Sequence, residues 1–147
     1  MKGAAAGFTL LELMVVLSIL GLILALTPIS LSIVVPGQRL RSAASILADD
    51  LREARNRSVL SGRTTELVID LQANSYRIGE DGKPKPFPDG TAVSVEEFSV
   101  GKVDPAKAIV GFFPDGSASG GRIDLRAGGR HYLVAVNWLT GRVTVDD

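Results

Sequence analysis

The sequence predicts an α+β protein in which a long N-terminal α-helix, hydrophobic at first and then amphipathic, packs on an antiparallel β-sheet or β-sandwich. Three observations predict this fold: an apolar run over residues 8–35, a helical spacing of apolar residues over 36–62, and alternating strand patterns over 63–147. Helices and strands that occur in separate blocks are typical of the α+β class. The 147 residues are enough for about one domain with appendages.

The composition excludes several classes of function. Sixteen Lys and Arg residues balance sixteen Asp and Glu residues, so the chain lacks the positive excess with which a generic nucleic-acid binder attracts phosphates. It contains no cysteine, which excludes a disulfide scaffold, a thiolate metal site and a cysteine nucleophile. The apolar residues are concentrated near the N terminus, where the stretch from Phe8 to Val35 has Glu12 as its single charge.

The apolar stretch is long enough to cross a membrane. At about 1.5 Å per residue, a helix over residues 8–35 exceeds the ~30 Å thickness of the hydrocarbon core. Three interpretations are possible. The stretch is a signal peptide that is removed, an anchor that is not cleaved, or a helix that is retained after a short leader in front of it is cleaved. A removed signal requires a small-residue site beyond the apolar core, and the only candidate, Ser30–Ser32, is poor. Pro28 is expected to kink the helix because it has no N–H for the carbonyl of Leu24.

The N-terminal junction distinguishes these interpretations. A short basic leader, MKGAAAG at residues 1–7, is followed by FTLLE at residues 8–12 and an unbroken apolar run. This junction resembles the class III leader of type IV pilins and type II secretion pseudopilins. The resemblance implies that prepilin peptidase cleaves between Gly7 and Phe8 on the cytoplasmic side and methylates the new amine of Phe8. Gly7 suits such a cut because it places no side chain beside the scissile carbonyl.

Glu12 is the unusual residue of the apolar run. A carboxylate at the centre of a bilayer costs about 2.5–3.5 kcal/mol, which makes such a residue a candidate for function. Because it lies near the start of the run, Glu12 can instead extend to the headgroups at little cost. The pilin resemblance favours an assembly role, in which Glu12 pairs with the N-terminal amine of Phe8 on an adjacent subunit. Two opposite charges that are buried together cost less than either one alone.

Residues 36–62 are predicted to form an amphipathic helix that continues into the globular domain. Apolar residues recur at alternating spacings of four and three: Leu40, Ala44, Leu47, Leu51 and Ala54. Pro36-Gly37 marks a soft point before this helix, and Gly62 is placed to cap its end. The opposite face is expected to be solvated, with charges that pair at helical spacing. These charges are Asp49 with Arg52, Glu53 with Arg57, and also Arg41 and Arg55.

From residue 63 onward the sequence alternates with a period of two and predicts an antiparallel β domain. The expected strands are residues 65–71, 75–78, 92–98, 109–113, 122–125, 131–136 and 142–145. Turn sequences rich in Asp, Pro and Gly separate them. Gly79–Pro86 has no apolar periodicity and is expected to be an exposed loop.

Two segments of the β domain carry a more specific resemblance. They are FFPDGSASGG at residues 112–121 and VNWLTGRV at residues 136–143. Both are similar to the C-terminal signature of the GspH/FimT family of minor pilins, in particular the H type of minor pseudopilin in type II secretion. Trp138 in the second segment is expected to anchor the core.

The loops of this domain are the candidate partner-binding sites, because loops on a rigid sheet can differ between subunits without disturbing the core. The loop Gly79–Pro88 and the turn Pro114–Gly121 are the candidate surfaces. Within the turn, the candidate residues are Pro114, Asp115 and Gly116, which form a Pro-Asp-Gly tight turn.

Catalysis and metal binding find little support. GSASG at residues 116–120 has Ala118 where a nucleophile elbow requires serine. His131 is the only histidine, and it lies in a predicted strand without a partner for a metal or for base catalysis. Asp49-Asp50 and Asp146-Asp147 lack the spacing of a calcium loop. No enzyme activity, metal or cofactor is therefore expected.

The resemblance implies a minor pseudopilin of the type II secretion pseudopilus, which assembles through its N-terminal helix and helps to export folded proteins across the outer membrane. The implied partners are other minor and major pseudopilins, prepilin peptidase and the bacterial inner membrane, and no nucleic acid is expected. The implied location is a single pass through the inner membrane, with the globular domain in the periplasm.

Two alternatives stay open on the sequence alone. The first is a DNA-binding minor pilin of a type IV or competence pilus, which would need a basic patch. Four arginines could form that patch: Arg122, Arg126, Arg130 and Arg142. Interspersed acids oppose it: Asp115, Asp124, Asp146 and Asp147. The second alternative is a membrane-anchored hydrolase, for which no nucleophile and base are found.

Overall fold

The computed structural model describes residues 9–26, 35–96 and 106–147. The chain divides into two compact units, Met1–Ile33 and Val34–Asp147.

Several predicted features lie outside the described residues. They are the cleavage site at Gly7 and Phe8, the kink at Pro28, and the end of the predicted strand 92–98. The predicted membrane helix over residues 8–35 is described over part of its length, from residue 9 to residue 26 and at residue 35.

The first unit contains α1, Leu10–Leu26. Thr9 caps its N terminus, since the Thr9 Oγ1 accepts a hydrogen bond from the Glu12 N–H at 3.2 Å and the Thr9 carbonyl accepts one from the Leu13 N–H at 3.1 Å. The large apolar side chains from Leu10 to Leu22 are exposed. A helix that is apolar all round requires apolar surroundings. Among the described residues, no helix is both long and apolar enough to cross a membrane.

The second unit is built on α2, Val35–Ser61. The predicted soft point at Pro36-Gly37 lies in the first turn of α2. Proline is tolerated there because the first N–H groups of a helix have no intrahelical partner. The predicted apolar stripe is confirmed, because every member is at most 1% exposed: Leu40, Ala44, Leu47, Leu51 and Ala54. Gly62 follows the last helical residue with φ +65°, as the predicted cap requires.

Short antiparallel strands follow α2. They are β1 Thr65–Asp70, β2 Ser75–Ile78, β3 Lys85–Pro86, β4 Ala92–Glu96, β5 Lys107–Phe112, β6 Gly121–Ala127, β7 Arg130–Val136 and β8 Val143–Asp146. They form two sheets, with strand orders β3-β2-β1-β5 and β4-β6-β7-β8, and neighbouring strands are antiparallel throughout. A helix packed on antiparallel sheets confirms the predicted fold class.

The core lies where the apolar stripe of α2 meets the inner faces of the two sheets. Leu67 of β1, Leu125 of β6 and Val134 of β7 are fully buried there. Because side chains alternate along a strand, the residues between the buried ones form an outer face on the second sheet. That outer face is at least partly exposed.

The prediction that Gly79–Pro86 is an exposed loop is wrong at its end, where β3 forms. Lys85 and Pro86 pair with β2, and the following Phe87 is buried, with its ring centroid 5.1 Å from that of Tyr76. Two residues are too few to display a period of two, so no strand signal is present in this part of the sequence.

Asp50 of α2 is a buried carboxylate that the sequence patterns do not single out. Its Oδ2 accepts a hydrogen bond from the Tyr76 hydroxyl at 2.6 Å, and both of its oxygens lie 2.8 Å from the Lys85 Nζ. Burial raises the pKa of Tyr76, and the hydrogen bond to Asp50 and the negative charge of Asp50 raise it further. This cluster ties β2 and β3 to α2 through one carboxylate.

Tyr76→Phe is expected to change the pH dependence of stability. At about pH 8 the variant should be less stable by about 1.5 kcal/mol or more, because a hydrogen bond to a charged group is lost. A raised pKa in the folded state gives stabilisation that is complete below the ordinary tyrosine pKa of about 10. It is lost as the pH rises further, since the unfolded chain then releases a proton that the folded chain keeps.

Urea unfolding of the full chain in nonionic detergent measures this effect. The difference in unfolding free energy between wild type and Tyr76→Phe should shrink as the pH rises from about 9 to about 11. A difference that stays constant over this range would contradict the assignment.

The charged face of α2 forms the predicted ion pairs and also contacts the second sheet. The predicted ion pairs are present, with Asp49–Arg52 at 2.7 Å and Glu53–Arg57 at 2.6 Å between nitrogen and oxygen. The Arg52 guanidinium also donates to the Val143 carbonyl oxygen on β8 at 3.2 Å. Arg52 is exposed and paired with Asp49, as the prediction of a solvated, self-paired face requires, and it also contacts the second sheet.

Candidate functional site

Glu12 is the one predicted N-terminal site residue that lies within the described part of the chain. Its side chain is exposed in the first turn of α1, and its N–H donates to the Thr9 Oγ1. Thr9 and Glu12 have the spacing of a capping box, and an acid in the first turn interacts favourably with the helix dipole. Thr9 therefore starts the helix by capping the N–H of Glu12, which the Thr-x-x-Glu spacing could have indicated.

The two segments that carry the H-type resemblance lie side by side. We call them the paired turns and define them as residues 113–121 and 137–142. The Ala118 N–H donates to the Trp138 carbonyl oxygen at 2.8 Å and thereby joins the two. Two separated stretches of sequence thus form one structural feature.

The first of the paired turns is held by Asp115 and Gly116. The Asp115 Oδ1 accepts hydrogen bonds from the Ser117 hydroxyl at 2.6 Å and from the Ser117 N–H at 2.9 Å, and these bonds lower the pKa of Asp115. Gly116 has φ +85°, and its N–H donates to the Phe113 carbonyl oxygen. The turn presents Pro114 and Asp115 to solvent, whereas Gly116 is buried.

The second of the paired turns is organised by Asn137. Its Oδ1 accepts hydrogen bonds from the Leu139 N–H at 3.1 Å and from the Thr140 N–H and hydroxyl, both at 3.0 Å. The Gly141 N–H donates to the Asn137 carbonyl oxygen at 2.8 Å and closes the turn. A short polar side chain that bonds to the backbone just ahead of it is typical of an Asx turn. The backbone of this turn is therefore well fixed.

The prediction that Trp138 anchors the core is wrong. Its side chain is 65% exposed, and the neighbouring Leu139 is 63% exposed. Val136 is the last residue of β7 and is buried, whereas Trp138 lies beyond the strand in the turn. The segment therefore presents two large apolar side chains to solvent.

One carbonyl oxygen connects the paired turns to α2. The Arg55 Nε donates to the Gly116 carbonyl oxygen at 3.0 Å, and Arg55 is half-buried, so the expectation that it lies on a solvated face is wrong. Gly141 has φ +60°, and a Cβ atom there would lie 2.3 Å from the same oxygen. Glycine at position 141 is therefore required for the two turns to approach this closely.

The serines of the GSASG segment have structural partners. Ser117 donates to Asp115 within the first turn. The Ser119 Oγ accepts from the Gly111 N–H at 3.0 Å, and the Ser119 N–H donates to the Gly111 carbonyl oxygen at 2.8 Å. The hydroxyls that a hydrolase would use as nucleophiles therefore hold this segment to itself and to β5.

The four arginines of the DNA-binding alternative do not lie together. Arg126 forms an ion pair with Asp124, and Arg130 lies against the first turn of α2. Arg122 and Arg142 line a cleft beside the second of the paired turns. Within the described residues, the four arginines therefore do not form the single patch that a phosphate backbone favours.

Two family models match the chain. The GspH family, whose description is type II transport protein GspH, matches residues 43–141. The prokaryotic N-terminal methylation motif matches residues 2–27. The first match reaches from α2 into the second of the paired turns, and the second includes Glu12.

Individual proteins show the same similarity. The type II secretion system protein H of Xanthomonas campestris pv. campestris is 30% identical over 137 residues, which cover 93% of this chain and 80% of that protein. The minor pseudopilin EpsH from the type 2 secretion system of Vibrio cholerae has a TM-score of 0.56 at 11% identity, over 73% of this chain and 95% of that chain. The type IV minor pilin FimU of Pseudomonas aeruginosa has a TM-score of 0.56 at 17% identity, over 75% and 90%. These two structures share the fold of this chain.

Proposed function

Because the chain belongs to the GspH family of type II transport proteins and is a minor pseudopilin of type II secretion, we propose how its parts act. The family is one of structural subunits rather than enzymes. A pseudopilin with the methylation motif is associated with the membrane, is incorporated into the pseudopilus and interacts with other pseudopilins. The proposal concerns processing, membrane topology and the surfaces used in assembly.

We propose that prepilin peptidase cleaves the chain between Gly7 and Phe8 and methylates Phe8. The apolar helix then crosses the inner membrane once, with the globular domain in the periplasm, until the subunit enters the pseudopilus. There the chain acts without catalysis in the export of folded proteins across the outer membrane.

The order of the parts along the chain carries this proposal. A methylation motif over residues 2–27 precedes a GspH domain over residues 43–141, and the helix in the first part exposes large apolar side chains. Such a helix is stable in lipid or among other apolar helices, but not in water. Transfer between those two environments is what assembly from a membrane requires.

We propose that Glu12 pairs with the methylated amine of Phe8 on an adjacent subunit. The hydrogen bond at the start of α1 uses the Glu12 N–H and not its side chain, so it does not require a charge. The exposed Glu12 carboxylate is available for a second interaction. Pairing with an amine would offset the cost of placing that charge in an apolar assembly.

We propose that Pro114 and Asp115 contact other pseudopilins, while the buried Gly116 positions them through Arg55. The turn is fixed by its internal hydrogen bonds, so a partner would meet a preformed surface. In the loop Gly79–Pro88, the exposed residues before β3 are the second proposed contact.

Intact mass spectrometry of the full chain tests the processing step. In a host with prepilin peptidase, the mass should correspond to a chain that begins at N-methylated Phe8. In a host without the peptidase, residues 1–7 should be retained and Phe8 should lack the methyl group. Retention of residues 1–7 in the first host, or a chain that begins beyond Ser32, would contradict the proposal.

A further inference from the structure

A cleft of about 820 Å³ opens on the outer face of the second sheet, beside the second of the paired turns. Arg122 of β6, Ala135 of β7 and Thr144 of β8 lie opposite one another in register and form one row across it. Gly120 and Gly121 also line the cleft. Gly121 and Ala135 are the small residues of this lining that leave room for a bound chain above the sheet, whereas Trp138 fills the space beside Gly120.

Trp138 also lines this cleft. Its carbonyl oxygen is held by the Ala118 N–H, and its Cβ lies only 3.0 Å from where a Cβ on Gly120 would be. The backbone is fixed, yet the indole is exposed. An aromatic side chain on a fixed backbone can bind a partner with little loss of backbone freedom, and tryptophan is enriched at binding sites.

Arg122 and Arg142 supply the charge of the cleft. Within the described residues neither guanidinium forms an ion pair, in contrast to Arg52 and Arg126. Glu96 lies opposite Arg122 in the register of β4 and β6, but the two are not within ion-pair distance. Unpaired guanidinium groups bind carboxylates through charge-assisted, often bidentate hydrogen bonds.

We propose that this cleft binds an extended acidic segment of another protein, with a carboxylate at Arg122 and Arg142 and an apolar side chain against Trp138. The positive charge of the lining selects the acid, and the small floor admits an extended main chain. The inference rests on the proposed function only in that the segment is expected to belong to a protein of the secretion assembly.

The charges around the cleft favour an acidic peptide over a nucleic acid. The next outward-facing row of the sheet contains Asp124, Leu133 and Asp146, which lie opposite one another in register. A long polyanion that extended from the cleft over this row would meet the Asp146 carboxylate, since Asp124 is already paired with Arg126, and like charges in such positions are repulsive. A short acidic segment can end within the cleft.

The chain has a single tryptophan, so the emission of Trp138 reports directly on this cleft. The full chain in nonionic detergent is titrated with a short capped peptide in which two glutamates flank one leucine. A peptide with glutamine in place of glutamate isolates the effect of charge. A short oligothymidylate tests the nucleic-acid alternative.

The glutamate peptide should change the emission saturably and bind at least about tenfold more tightly than the glutamine peptide. Arg122→Gln and Arg142→Gln should each weaken binding about threefold to tenfold. Arg126→Gln is the matched control, because Arg126 is an exposed arginine on the same strand as Arg122 that is already paired with Asp124. This control should bind the peptide as the wild type does.

Equal binding of the two peptides, equal weakening in all three variants, or no saturable change would overturn the proposal. Tighter binding of the oligothymidylate than of the glutamate peptide would assign the cleft to nucleic acid instead. The N-terminal mass of the chain is independent of these results. If the peptide does not bind, the proposed processing and assembly are unaffected. If the mature chain does not begin at Phe8, the proposed peptide binding is unaffected.

Discussion

Gly141→Ala is expected to lower the free energy of unfolding by about 3 kcal/mol or more, because strain and a collision act together. The φ of +60° is strained for alanine. The added Cβ would lie 2.3 Å from the Gly116 carbonyl oxygen and 2.7 Å from the Arg55 Nε. The paired turns would have to separate, and Arg55 would lose its acceptor. Thermal unfolding of the full chain in nonionic detergent, followed by circular dichroism, should show a Tm lower by roughly 10 °C.

Gly129→Ala is the matched control for this variant. Gly129 also has a positive φ, +76°, but a Cβ there would have no described atom within 4 Å. The free energy of unfolding of Gly129→Ala should therefore fall through backbone strain alone, by about 1 kcal/mol. The difference between the two variants measures the close approach of the paired turns. Equal losses would show that this approach does not contribute.

Glu12→Gln is expected to reduce incorporation into the pseudopilus at least about tenfold, with membrane insertion and cleavage unchanged. The hydrogen bond to Thr9 uses the backbone N–H of residue 12, so the start of α1 should be preserved. An amine left unpaired in an apolar assembly costs about 3 kcal/mol or more, which is the reason for the large effect. The measurement is the fraction of the chain in sheared pseudopili relative to the membrane, in a strain without its own copy of the subunit.

Glu12→Leu separates the charge from the cost of membrane insertion. Leucine removes the carboxylate and with it the insertion penalty, and it keeps the backbone N–H that Thr9 caps. Incorporation should fall at least as far as with Glu12→Gln, although insertion becomes easier. Normal incorporation of both variants would instead favour the interpretation in which Glu12 extends to the headgroups.

Features that depend on neighbours along the chain could be predicted from the sequence. The buried stripe of α2, from Leu40 to Ala54, follows from helical spacing, since one packed face is enough to select it. Gly62 and the turn Pro114–Gly116 follow from local backbone requirements. The ion pairs on the exposed face of α2 also join residues three and four apart.

Features that depend on contacts between distant segments could not be predicted. Asp49 and Asp50 are adjacent and identical in type, yet one pairs at the surface and the other is buried against Tyr76. Helical spacing places Asp50 at the edge of the buried stripe and Asp49 on the opposite side, but only the packing of β2 and β3 on α2 supplies the Tyr76 and Lys85 partners of Asp50. At the candidate site, the family resemblance identifies both paired turns. It does not indicate that they are joined, that Gly141 makes this possible, or that Trp138 is exposed.

Three of the four edge strands, β3, β5 and β8, carry features that oppose pairing with strands of other chains. β3 contains Pro86, which has no N–H to donate. On β5 the backbone of Gly111 is engaged by Ser119, and on β8 the Val143 carbonyl oxygen is engaged by Arg52. Unprotected edges are templates for aggregation when copies are crowded together. In a filament the subunits are packed close together. The protected edges of β3, β5 and β8 therefore help each β domain to stay separately folded, instead of joining its neighbours in a continuous cross-β stack.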